Sequence, residues 1–125
     1  MLIERTDFYS VPVQDMERAK TFYRDTLGMR SPDWDAAWPE IETGNVSLYL
    51  IDPTALGGEF APHTSHIGLR VADVEEAKRK LEAAGIEFRE TIDSGVCHIA
   101  GFSDPDGNAL MLHRRYAPHS DGSKP

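Results

Sequence analysis

A chain of 125 residues, 40% apolar and 27% charged, suits one folded domain with a real core. Its formal net charge of −8 excludes a basic nucleic-acid footprint, and no apolar run reaches membrane-spanning length. The single cysteine, Cys97, excludes an intrachain disulfide or a Cys-rich zinc site, and Met1-Leu2-Ile3-Glu4-Arg5 lacks a signal-peptide pattern, so the cytoplasm is expected.

Phe8 to Val13 alternates and is rich in β-formers, which predicts a strand. Asp15 reads as an N-cap, and Met16, Ala19, Phe22, Tyr23 and Leu27 recur at helical spacing until Gly28 stops the helix. After an irregular stretch through Ser31-Pro32-Asp33, two strands are expected over Ala37 to Glu42 and Val46 to Ile51, with Thr43-Gly44-Asn45 as the turn. This gives a first β-α-β-β-β module over residues 1–52. Residues 53–65 carry Pro, small residues and Gly57-Gly58 without periodicity, and read as a linker.

The first pattern then returns. Val13-x-Asp15-x-Glu17-x-Ala19-Lys20 is matched by Val71-x-Asp73-x-Glu75-x-Ala77-Lys78, with Phe8 falling opposite His66. Asp73 and Glu76 form a capping-box arrangement for a second helix that ends at Gly85. Strands are expected over Ile86 to Glu90, Cys97 to Phe102 and Ala109 to His113, completing a second module over residues 66–116. The last two flank Asp104-Pro105-Asp106-Gly107-Asn108, a dense turn signal and hence a hairpin. Residues 117–125 are polar and read as a disordered tail.

The fold class is therefore α+β: two βαβββ modules, each a curved mixed sheet covered by a helix, together forming a cleft. Alternation assigns Tyr9, Val11, Val13, Ile41, Leu48, Leu50, Ile67, Leu69, Val71, Ile86, Phe88, Ile99, Leu110 and Leu112 to the helix-covered faces. The opposite faces collect Phe8, Ser10, Trp38, Glu40, Ser47, Tyr49, His66, Arg70, His98, Ala100, Met111 and His113, a mixed polar lining suited to a ligand. If Phe102 opposes Ala109, then Ala100 faces Met111 and His98 faces His113, and these two histidines converge with His66, three in all.

Asp15-x-Glu17-x-Ala19-x-x-Phe22-Tyr23-x-x-x-Leu27-Gly28 and Phe102-x-Asp104-Pro105-Asp106-Gly107-Asn108 resemble the vicinal oxygen chelate superfamily. This group includes glyoxalase I, bleomycin-resistance proteins, fosfomycin-resistance enzymes and extradiol dioxygenases. The resemblance extends to about Tyr116 and implies paired βαβββ modules and a homodimer. In metal-dependent members, one ligand comes from the first strand of each module and another from the last. Those positions hold Phe8, Tyr49, His66 and Met111 here, so only His66 matches. Phe offers no donor, and Met sulfur suits hard divalent ions poorly. No cofactor is expected, and a divalent metal is disfavoured without being excluded.

Other candidates carry alternatives. His66 is either a hydrogen-bonded strand residue or a binding or proton-transfer group, and with His98 and His113 it would supply a displaced metal site or acid–base chemistry. Glu40, beside Tyr49, is a solvated strand residue, a relocated carboxylate or an anchor for a cationic ligand. Phe8, Trp34, Trp38 and Tyr49 form an aromatic set suited to stacking a flat ligand. Arg70 either pairs with helix glutamates or binds an anionic ligand group. Cys97 and His98 point to opposite faces, so Cys97 reads as a packed thiol.

Three functions follow. The first is a binding protein similar to the bleomycin-resistance branch, holding a small aromatic or natural-product ligand without the usual metal, with Phe8, Ser10, Trp38, Tyr49, Arg70 and Met111 lining the cleft. The second is a glyoxalase-like lyase, isomerase or dioxygenase working through His66, His98, His113 or Glu40. The third is a regulatory domain with a vestigial cleft. Neither nucleic acid nor a membrane is expected as a partner.

Overall fold

Two aspartates start the two helices. Each lies in extended backbone and accepts from an N–H three residues on, Asp15 from Arg18 and Asp73 from Glu76. In the computed structural model, which describes residues 1–125, strand β1 (Phe8–Pro12) leads into helix α1 (Met16–Lys20). Its next turns widen into π-helical geometry over Thr21–Thr26, and Gly28 ends them at φ 69°. Strands β2 (Glu40–Ile41) and β3 (Ser47–Ile51) follow, then a 3-10 turn, Pro53–Leu56. The second pass gives β4 (Ile67–Arg70), α2 (Val74–Ala83), β5 (Thr91–Asp93), β6 (Cys97–Ser103) and β7 (Ala109–Arg115). No helix is long and apolar enough to cross a membrane.

The chain forms two units, each with one mixed sheet. The first comprises Met1–His63 with Pro105–Asn108, and the second comprises Thr64–Asp104 with Ala109–Pro125. In the first, β1 runs parallel to β3, and β3 antiparallel to β2. In the second the order is β4-β7-β6-β5, with only β4 and β7 parallel. The two sheets share one design, because Arg30 bridges Glu42 where β5 pairs β6 in the second unit. The outer strand of the first sheet has shrunk to that single bridge.

The core of the first unit is Val11, Val13, Ile41, Leu48 and Leu50 with Ala19 and Tyr23 from the helical segment. That of the second is Ala100, Phe102, Leu110 and Leu112 with Val74, α2 packing across β6 and β7.

Three sequence expectations need correction. The strand expected from Ala37 is only Glu40–Ile41, because Ser31 to Trp38 turns and bends around the Asp33 carboxylate. That carboxylate accepts from the Ser31 hydroxyl at 2.7 Å and the Glu40 N–H at 3.0 Å. The strand expected over Ile86 to Glu90 is absent and the ladder begins at Thr91. The continuing register would set Arg89 against Phe102, but its N–H goes to the Gly101 carbonyl, which breaks the ladder.

The third concerns the hairpin. Ser103, not Phe102, opposes Ala109, leaving a loop of Asp104 to Asn108. Gly101 therefore opposes Met111, Ile99 opposes His113 and His98 opposes Arg114. A slip of one residue exchanges the faces of a whole strand. Ala100 and Phe102 thus belong to the helix-covered face, while Ile99 and Gly101 belong to the other.

Candidate functional site

The first unit presents Phe8, Ser10, Ser47, Tyr49 and Glu40 on the sheet face away from its core, as alternation predicts. The register is direct: Phe8 lies beside Ser47, Ser10 beside Tyr49, and Glu40 beside Tyr49. The Phe8 and Tyr49 rings meet edge to face at 4.9 Å between centroids, leaving Phe8 49% exposed. An aromatic edge and face open to solvent can receive a flat ligand. Ser47 donates to Glu40 at 3.4 Å.

Tyr49 also donates to Glu40. That bond first, then desolvation, then the charges of Glu40 and Asp33 raise the Tyr49 pKa above its ordinary value. A raised acid pKa stabilises the fold below the ordinary tyrosine range, and the contribution is lost as pH rises through the raised value. Ultraviolet titration of the phenolates should therefore show two late-titrating tyrosines, Tyr49 and Tyr116, the latter raised by its bond to Asp93, and only one of them reverts toward the ordinary range in Glu40→Gln; no reversion would place the Tyr49 hydroxyl elsewhere.

The two tryptophans lie in the bent segment before β2, both half-buried, so Trp38 is not a strand residue of this face. Trp34 is engaged from the helical side, with the Arg24 guanidinium carbon 5.8 Å from its ring centroid.

In the second unit His66, Gly68, Arg70, Met111 and His113 lie on the face away from α2, by the β4–β7 register. The sequence did not single out the residue that governs His66. Arg89 bonds through its backbone N–H to Gly101, through Nη2 to the Phe102 carbonyl at 2.8 Å, and through Nη1 to the Ser103 hydroxyl at 3.2 Å. Its Nη2 also stands 3.1 Å from His66 Nε2. Arginine has no acceptor, so the His66 lone pair receives this contact. Gly101 makes the space, since a Cβ there would lie 3.3 Å from both Arg89 Nε and His66 Nε2. A glycine facing a candidate ligand was the available signal.

The three-histidine convergence does not form. His98 lies on the opposite face from His113 and is exposed, with Nε2 3.4 Å from Asp93 Oδ2 and its ring 4.7 Å from that of Tyr116. Tyr116 donates to Asp93 at 2.8 Å, so His98 belongs to a surface lock on the β5–β6 turn. Arg70 and His113 sit side by side, and Met111 is half-buried between Gly68 and Gly101 in register. No group of three or more His, Cys, Asp or Glu side chains is arranged to hold a metal ion.

This fold is shared with known proteins. The family model described as Glyoxalase/Bleomycin resistance protein/Dioxygenase superfamily matches residues 5–112. Among solved structures, the chain is similar to TnmS3, an antibiotic-binding protein from Streptomyces sp. CB03234. Identity is 31%, coverage is 92% of this chain and 98% of that one, and the TM-score is 0.73. A glyoxalase/bleomycin resistance protein from the same organism is 30% identical over 88% of this chain and 100% of its own, with TM-score 0.69. Lactoylglutathione lyase from Agrobacterium tumefaciens shares the fold at 20% identity, with 89% and 93% covered and TM-score 0.72. A search of curated proteins gives no match. With nearly the whole domain matched, the chain belongs to the glyoxalase/bleomycin resistance/dioxygenase superfamily.

Proposed function

We propose that this protein binds a small aromatic or natural-product ligand and does so without a divalent metal, acting as a cytoplasmic homodimer. The observation that carries the reading is the Arg89 guanidinium standing 3.1 Å from His66 Nε2. His66 is the one imidazole at a family ligand position, and a fixed cation in contact with its lone pair opposes a second cation there. The other three positions reinforce this. Phe8 has no lone pair, Tyr49 donates to Glu40, and Met111 offers a thioether that hard ions bind weakly. This donor set does not fit a divalent ion.

What replaces the metal is an open aromatic pair. The Phe8 ring set edge-on to Tyr49, with Glu40 and Ser10 on the same face, combines a stacking surface with polar groups that fix orientation. The antibiotic-binding relative TnmS3, at 31% identity, supports the same class of activity.

The test is a fluorescence titration with metal-free bleomycin and a panel of uncharged polycyclic aromatic antibiotics, with chelator present. Saturable quenching is expected for at least one probe. Tyr49→Ala should weaken it by about tenfold or more, equivalent to about 1.4 kcal/mol. Chelation and His66→Ala should each change affinity less than about twofold. Stoichiometric Zn, Ni, Mn or Fe in the purified protein, lost together with binding in His66→Ala, would overturn the reading in favour of a metal-dependent enzyme.

A further inference from the structure

The second unit has a cavity of about 210 Å³ lined by Arg70, His113, Arg115, His119 and Pro125. Four of its five lining residues are basic and none is Asp or Glu, in a chain with 21 acidic and 13 Lys and Arg residues. The cluster follows from the sheet. The parallel β4–β7 register sets Arg70 directly beside His113, and alternation along β7 brings Arg115 to the same face.

The last wall comes from the residues after β7. Arg115 donates through Nε to the Ala117 carbonyl and through Nη2 to the Pro118 carbonyl, both at 2.9 Å, which folds the segment back and delivers His119. A turn in which Gly122 N–H bonds the His119 carbonyl at 2.8 Å holds it there. The side chains of Arg70, His113 and His119 line the cavity and make no hydrogen bond or ion pair within the chain.

We infer that this cavity is an oxyanion-binding site, taking the carboxylate or phosphate of a small anion or of one end of a larger ligand. Guanidinium groups match the planar oxygens of such groups, and imidazoles add further donors. The volume lies below that of pockets which engulf a drug-sized molecule, so only the charged end is enclosed. The site stands on the second unit alone and does not depend on the aromatic face of the first.

The experiment is an amide chemical-shift titration of the full chain at constant ionic strength with benzoate, benzamide and inorganic phosphate. Benzoate is expected to saturate with a Kd of about 1–10 mM and to shift residues 68–70, 111–115 and 119, while uncharged benzamide leaves them unmoved. Arg70→Gln, at an exposed position where folding is retained, should weaken binding roughly fivefold, and His113→Gln should act in the same direction. If phosphate saturates at the same residues, the source is a free oxyanion; if benzoate alone does, it is the carboxylate of an organic ligand. Equal shifts from benzamide, no saturation by either anion, or unchanged affinity in Arg70→Gln would overturn the inference.

Discussion

Phe102→Ala is expected to lower the unfolding free energy by about 3–5 kcal/mol in urea titration, with folding retained at low temperature. The Phe102 side chain is fully buried beside Ala100, Leu110 and Leu112, and its ring lies 5.1 Å from that of Phe88. Removing it leaves a cavity that close-packed neighbours on a hydrogen-bonded sheet cannot fill. The neighbour on the opposite face supplies the control. Ile99 is only half-buried, so Ile99→Ala should cost about 1–2 kcal/mol. The pair decides the hairpin register by measurement: a larger loss at Ile99 than at Phe102 would restore the register that alternation alone suggests.

A second large effect is expected at Asn108. Asn108→Ala should destabilise the protein by about 2–4 kcal/mol, because a fully buried side chain is lost and two part-buried backbone groups lose their partners. The Asn108 amide donates to the Pro12 carbonyl at 2.8 Å, and its oxygen accepts from the His63 N–H at 3.1 Å. Asn108→Asp keeps the acceptor and loses the donor, so it should fall between wild type and Ala. The turn sequence suggests that Asn108 serves by tolerating positive φ. In the structure only glycines take positive φ, Gly107 among them at 87°, and Asn108 acts through its fully buried side chain. A loss below about 0.5 kcal/mol, typical of a surface position, would reduce it to a turn residue.

What the sequence makes legible is what is locally encoded. Asp15 and Asp73 cap their helices within three residues, and Gly28 and Gly85 end them at positive φ. The first sheet is legible for a similar reason. Alternation from Phe8 and from Ser47 fixes two faces, and the observed register puts Phe8, Tyr49 and Glu40 together as expected.

The second site is harder because it depends on register and reach. Whether Phe102 or Ser103 closes the hairpin is decided at a five-residue loop held by distant partners, and a step of one moves His98 from one face to the other. Arg89 lies outside any strand and reaches His66 through a long side chain, over space that exists because residue 101 is glycine. Periodicity has no term for a side chain that travels so far.

The loop Pro105–Asn108 belongs by its contacts to the first unit, although the strands on either side of it belong to the second. Asp106 Oδ1 accepts from the Gln14 N–H at 3.0 Å and from Arg18 at 2.9 Å, across separations of 92 and 88 residues. During translation, therefore, the first unit waits for residues made late, and its N-terminal stretch emerges with the Pro12 carbonyl and Gln14 N–H still lacking these side-chain partners. Contacts spanning most of the chain must close before the first unit is whole, which slows its folding relative to an independent repeat. A duplicated module is in this sense no longer divisible at its midpoint.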